Sequence, residues 1–190
     1  MQAASHFVLR PFVENDAVSF VEAVRESGAT VGKWMSWAHA GYTVADALSW
    51  FSLCAQERAN GVSREFGIFD AQSGCLVGGC GLNQFNAANG FCNLGYWVRQ
   101  SWHRRGAASA AIQALSRIAF SELQLGRVEI VVAAGNTPSF ALAAKSGALR
   151  ECLARNRLKV HGEFTDAYVF SLVPEPEARS LGEIRRPMPT

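Results

Sequence analysis

The sequence predicts an α+β fold: a single mixed sheet of about six to seven strands flanked by about four helices. Three observations carry this expectation. In a chain of 190 residues, 49% are hydrophobic and 18% charged, enough for one domain-sized core and incompatible with a disordered chain. The segments run strand, two helices, three strands, helix, strand, helix, two strands, which departs from the strict alternation of a doubly wound fold. No internal repeat or low-complexity linker divides them.

Each element has a local reason. Phe7-Val8-Leu9-Arg10-Pro11-Phe12 is β-prone and stops at proline. Asn15 and Asp16 offer caps for a helix from Ala17 to Val24, with Gly28 beyond it. Lys33-Trp34-Met35-Ser36-Trp37 is a dense aromatic patch in an irregular stretch. Thr43 and Asp46 have capping-box spacing, opening a helix that runs toward Asn60-Gly61. Phe66 to Phe69 and Cys75 to Leu82 read as the arms of a hairpin around Asp70–Gly74. Asn83 to Gly90 reads as a polar loop before the aromatic strand Cys92 to Val98. Gly106 to Leu123 carries the clearest apolar stripe at helical spacing. Val128 to Val132 is a buried-type strand, and Thr137 caps a helix with Pro138 first and Gly147 after it. Ala148 to Val160 and Phe164 to Val173 pair around a His161-Gly162 turn. Residues 1–173 form the domain, and the Pro- and Arg-rich stretch 174–190 a loose tail.

Composition excludes several functions. Lys and Arg number 18 against 16 Asp and Glu, too balanced for a nucleic-acid partner. Five cysteines without C-x-x-C spacing read as small apolar residues in a reducing compartment, neither a disulfide framework nor a metal site. With neither a leader pattern nor a membrane-length apolar run, the expected location is cytoplasmic, away from the membrane.

The chemistry concentrates where the aromatic strand passes through Arg99 into Arg104-Arg105-Gly106-Ala107-Ala108 and the long helix. The first amides of a helix lack intrahelical partners, and its dipole adds positive charge there, so phosphate is the natural ligand. Gly106 allows close approach, Ala107 and Ala108 leave the way clear, and the two arginines add charge. A plain surface turn would have the same local sequence.

The segment 103–108 resembles the Q/R-x-x-G-x-G/A signature of the GNAT acetyltransferases, with His103 where Gln or Arg is usual. Asn136 to Gly147 is similar to a second motif of that family, N-x-x-S followed by A-x-K-x-G. Leu9-Arg10-Pro11, Trp34-Met35-Ser36-Trp37 and Gly162-x-x-x-Asp166 also fit, and the resemblance is to the branch of ribosomal-protein serine and alanine N-acetyltransferases. It spans Val8 to Leu172 and implies a strongly bent, splayed sheet with acetyl-CoA as co-substrate.

By that resemblance, backbone groups of Trp97, Val98 and Arg99 hold the pantetheine arm, and amides from Arg104 through Ser109 hold the pyrophosphate. Asn136 and Ser139 flank the thioester, Ser139 protonates the leaving thiolate, and a backbone N–H near Val98 meets the oxyanion. Related enzymes can place a glutamate in the penultimate strand, where this chain has Arg157, Leu158 and Lys159. Glu65, Glu129 and Glu163 remain as candidate bases, with Glu65 preferred, alongside water. The acceptor is a primary amine, either a protein N-terminal α-amine or a small molecule, and a homodimer is compatible with the family. The alternative is an idle acyl-CoA-binding sensor.

Overall fold

Residues 6–174 are described by a computed structural model. Eleven elements follow in chain order: β1 (Phe7–Arg10), α1 (Ala17–Glu26), α2 (Val44–Ala59), β2 (Arg64–Asp70), β3 (Leu76–Asn86), β4 (Phe91–Val98), α3 (Ala107–Arg117), β5 (Arg127–Ala133), α4 (Thr137–Lys145), β6 (Leu149–Val160) and β7 (Glu163–Leu172). They form one seven-stranded sheet in the order β1-β2-β3-β4-β5-β7-β6. Only β4 and β5 run parallel, so the sheet is mixed and the fold α+β as expected. Most of the expected tail, from residue 175 onward, lies outside the described residues. No helix among the described residues is long and apolar enough to cross a membrane.

Two cores sit against the sheet. One gathers Ile112 and Leu115 of α3, Leu82 and Leu94 of the sheet, and Phe170 of β7. The other packs Phe20 and Val24 of α1 with Phe51 of α2 and Phe69 of β2. Each fully buried Leu, Ile or Phe contributes about 1.5–3 kcal/mol, so the two cores fix the helices on the sheet.

Several boundaries move for identifiable reasons. Asp16 makes no side-chain cap on α1; its carboxylate instead accepts from Val13 N–H at 2.9 Å and from Arg10 at 2.7 and 2.8 Å. The cap of α4 is Asn136, one residue before Thr137, because its amide oxygen accepts from Ser139 N–H at 3.3 Å. Thr43 and Asp46 form the expected capping box. The polar stretch Asn83–Asn86 is strand, since β3 continues past Leu82 to pair with β4 across an irregular step. The long helix changes after Arg117 to a π-turn at Ile118–Glu122, closed by Leu123 N–H to Ile118 O at 3.0 Å.

The feature that shapes the site is a fork. β4 and β5 pair only from Phe91–Asn93 to Arg127–Glu129, and then part. Beyond Asn93, β4 stays on β3 while β5 stays on β7, so a wedge opens between Leu94–Val98 and Ile130–Ala133.

Candidate active site

Backbone alternation decides what the fork offers. Arg99 N–H donates to Val77 O at 2.8 Å on the β3 side. Trp97 lies directly opposite Gly79, with its carbonyl against Gly78, so it faces β3 too. The N–H groups of Tyr96 and Val98 therefore point the other way, into the fork. Of the expected trio Trp97, Val98 and Arg99, only Val98 presents backbone there, and Tyr96 joins it. The Val98 carbonyl meets His103 Nε2 at 2.9 Å, leaving its N–H as the free donor of that residue. The Arg99 side chain is ion-paired with Glu26 of α1, whose other oxygen accepts Ser101 N–H at 2.7 Å. Arg99 thus braces the strand end against α1.

The chain then turns through Arg104 (φ 62°) and Gly106 (φ 88°) into α3. No side chain caps this helix, and the first bond returning to its start is Ala110 N–H to Gly106 O at 3.0 Å. A Cβ at Gly106 would meet nothing within 4 Å, so the ground above the loop is open. Arg104 and Arg105 are exposed beside it, Arg105 lying 4.7 Å over the Trp102 ring. A loop with free amides, open space and two cations fits a diphosphate.

Across the fork, the Tyr96 hydroxyl meets the Ser139 hydroxyl at 2.9 Å. Ser139 is the third residue of α4; its N–H is bonded by Asn136, so its hydroxyl is not spent on capping. Burial pushes the Tyr96 phenol above its ordinary value, only partly offset by the Ser139 contact, and keeps it protonated. The pair therefore places two neutral hydroxyls, each able to donate a proton, on the two sides of the wedge.

On the α1/α2 face lies a cavity of about 340 Å³. Its floor is one row of the sheet, Glu65 opposite Gly81 and Gly81 opposite Gly95. A Cβ at Gly81 would fall inside the Glu65 carboxyl group, so this glycine lets the carboxyl lie across β3. A Cβ at Gly95 meets nothing within 4 Å, because the cavity is above it. Glu65 Oε1 accepts from Asn83 Nδ2 at 3.0 Å, and Asn83 Oδ1 accepts from Asn93 Nδ2 at 2.9 Å. Burial raises the Glu65 pKa above the usual carboxylate value against the opposing pull of the Asn83 bond. The walls are aromatic: Phe12, Phe20, Trp37, Tyr42, Trp50 and Trp97, with Met35.

Glu65, Ser139, Asn136 and the loop, candidates from the sequence, lie around the fork and the cavity, and the structure adds Tyr96, Gly81, Gly95 and the Asn83–Asn93 pair beside them. Tyr96 had one usable signal: it stands two residues before Val98 and so shares its backbone orientation. Of the aromatic patch, Met35 and Trp37 line the cavity, while Trp34 packs beneath Lys33 and beside Gly135. Glu129 is ion-paired with Arg127 at 2.9 Å, and Glu163 is exposed in the β6–β7 turn region. His161 holds Gly32 O at 2.8 Å, which ties that turn to the segment before Trp37. Cys54 is buried and its thiol pushed up to about 12, so it is inert.

This architecture, a forked mixed sheet with an open loop feeding a helix at the fork, is matched by known proteins. The description "Acetyltransferase (GNAT) domain" fits residues 6–149, and the chain belongs to the GNAT acetyltransferase family. It is accordingly an acetyltransferase enzyme. It is 30% identical to YdaF of Bacillus subtilis strain 168, provisionally named a ribosomal N-acetyltransferase, over 88% of this chain and 91% of that one. Among solved structures it is similar to a Vibrio cholerae protein provisionally described as a ribosomal-protein-serine acetyltransferase: 31% identity, TM-score 0.78, 90% and 96% of the two chains. It is also similar to Mycobacterium smegmatis RimJ in complex with CoA-disulfide: 27% identity, TM-score 0.81, 89% and 82% covered.

Proposed function

We propose that this enzyme moves the acetyl group of acetyl-CoA directly to a primary amine. The observation that carries the reading is the fork, with the uncapped loop at its mouth, the Tyr96–Ser139 pair across it, and the Glu65-floored cavity sharing Tyr96 as lining. The amides of Arg104, Arg105, Gly106, Ala107, Ala108 and Ser109 hold the pyrophosphate, and the fork-facing backbone of Tyr96 holds the pantetheine arm, as an added strand would, leaving the Val98 N–H for the thioester oxygen.

The acceptor enters the aromatic cavity as an ammonium ion, and Glu65 takes its proton. The neutral amine attacks the thioester carbonyl carbon, forming the C–N bond. Val98 N–H stabilises the oxygen as charge develops on it. The C–S bond breaks as Ser139, backed by Tyr96, passes its proton to the CoA thiolate and takes in exchange the proton that the newly acetylated nitrogen loses, so the hydroxyl pair ends as it began. Asn136 positions Ser139 by fixing the first turn of α4. The ribosomal names of the relatives favour a protein N-terminal α-amine as acceptor.

Ala108→Asp tests the donor site. A carboxylate in the first turn favours the helix by about 0.3–1 kcal/mol, yet it repels phosphate. Thermal stability should hold or rise, while calorimetric acetyl-CoA affinity falls at least about tenfold. Undiminished affinity refutes the loop assignment. Acetyl-CoA-dependent thiol release with any amine separates an enzyme from a mere acyl-CoA sensor.

A further inference from the structure

The cavity above Gly95 has an unbalanced charge. Among the described residues that line it, Glu65 is the one acid and there is no Lys, Arg or His. Its carboxyl has a single side-chain donor, Asn83, and the nearby Arg58 guanidinium is turned to the Glu65 backbone carbonyl at 2.5 Å. No lining side chain offers this carboxyl a cation, so an ammonium ligand would supply the counter-charge of its ionised form. The opposite wall is aromatic. Phe20 meets Trp97 at 5.6 Å and 87°, and Trp37 meets Trp97 at 5.6 Å and 72°. Trp37 retains 38% exposure, so the cage opens to solvent there. The volume of about 340 Å³ is at the small end of ligand sites, which run roughly 300–1,000 Å³.

Resting on the acetyl-transfer reading, we infer that the acceptor is a primary amine carried on a bulky apolar or aromatic body, with no carboxylate beside the amine. The ammonium pairs with Glu65, and the body packs against Trp37 and Trp97, where cation–π attraction adds to burial. A free amino acid is disfavoured because its carboxylate would enter a cavity whose one charge is already negative. A polyamine is disfavoured because the lining offers no second acid for its second ammonium. The two sources of the favoured chemistry are a free arylalkylamine and a peptide whose first residue is bulky and apolar.

Trp37, Trp50 and Trp97 in the lining make binding directly visible by tryptophan fluorescence, without acetyl-CoA. The full chain is titrated with 2-phenylethylamine, phenylalanine, ethanolamine and spermidine. The same panel, with peptide amides beginning in Phe or Ser, is then assayed for acetyl-CoA-dependent thiol release. Phenylethylamine should bind at least about tenfold more tightly than phenylalanine, ethanolamine or spermidine, and Gly95→Leu, which inserts a side chain into the cavity, should weaken it by at least about tenfold. Trp37→Ala, at the mouth, repeats the comparison with nothing added to the sheet and should weaken phenylethylamine more than ethanolamine. Turnover of phenylethylamine but not the Phe peptide identifies a free amine; turnover of the Phe peptide identifies a protein N-terminus; either supports the inference. Turnover led by the Ser peptide, phenylalanine or spermidine overturns it while leaving acetyl transfer standing. Tight phenylethylamine binding with no thiol release from any acceptor overturns the acetyl-transfer reading, and the acceptor role with it.

Discussion

Replacing Glu65 by Gln tests the proton acceptor with almost no change of shape. The carboxyl lies across Gly81, and its Oε1 accepts from Asn83 at 3.0 Å. A glutamine oxygen can accept that same bond. What disappears is the capacity to take a proton, and with it a desolvated charge. General base catalysis contributes about 10²- to 10⁴-fold, so kcat should fall by that factor, or about 3–5 kcal/mol of barrier at 1.36 kcal/mol per decade. Affinity for acetyl-CoA should not change, since the donor loop is elsewhere. Stability gives an independent sign. Burial raises the folded-state pKa of Glu65 above its unfolded value. The carboxyl's contribution is therefore fully present below the unfolded pKa and is lost as pH rises through the folded one. Glu65→Gln escapes that loss, so its urea midpoint should match or exceed that of the parent chain at neutral pH. The assay is thiol release across pH 5 to 9 with saturating acetyl-CoA, where the parent should show an acidic limb in kcat/KM that the variant lacks. A kcat within about threefold of the parent, with the acidic limb intact, refutes Glu65 as base.

Ser139→Ala and Tyr96→Phe should each lower kcat by about 10–100-fold with little effect on acetyl-CoA affinity, and the double variant should cost less than the product of the two, because the hydroxyls act as one relay. Gly81→Ala and Gly95→Ala form a matched pair on one sheet row: the first should displace Glu65 and cut turnover, while the second, meeting nothing within 4 Å, should retain the fold and the Glu65 position; the contrast is read from thiol release and melting curves. Glu151, held down to about 2 by its bonds from Arg127 and Ser171, stabilises the fold above its unfolded pKa and loses that effect as pH falls toward 2. Urea midpoints between pH 5 and 2 should thus fall more steeply for the parent than for Glu151→Gln. Thr43→Ala should remove the α2 cap and destabilise by about 1 kcal/mol in denaturant unfolding.

Whatever depends on local spacing was legible in the chain alone. The Thr43/Asp46 box, the apolar stripe of α3, the glycine turn at Gly106 and the order of segments are near-neighbour effects, and they sufficed for an α+β sheet and a phosphate-type loop. Even locally, competition between partners moved boundaries: Asp16 chose Arg10 and Val13 over the start of α1, and Asn136 displaced Thr137 as cap. The proposed acceptor cavity, by contrast, exists only in the folded sheet. Glu65, Gly81 and Gly95 are far apart in the chain and become one floor solely through strand register. Tyr96 and Ser139, 43 residues apart, meet only because β4 and β5 diverge and α4 returns across the gap. Which face of a strand a side chain occupies and which carboxylate loses its water are properties of the packed sheet, and no short-range pattern encodes them.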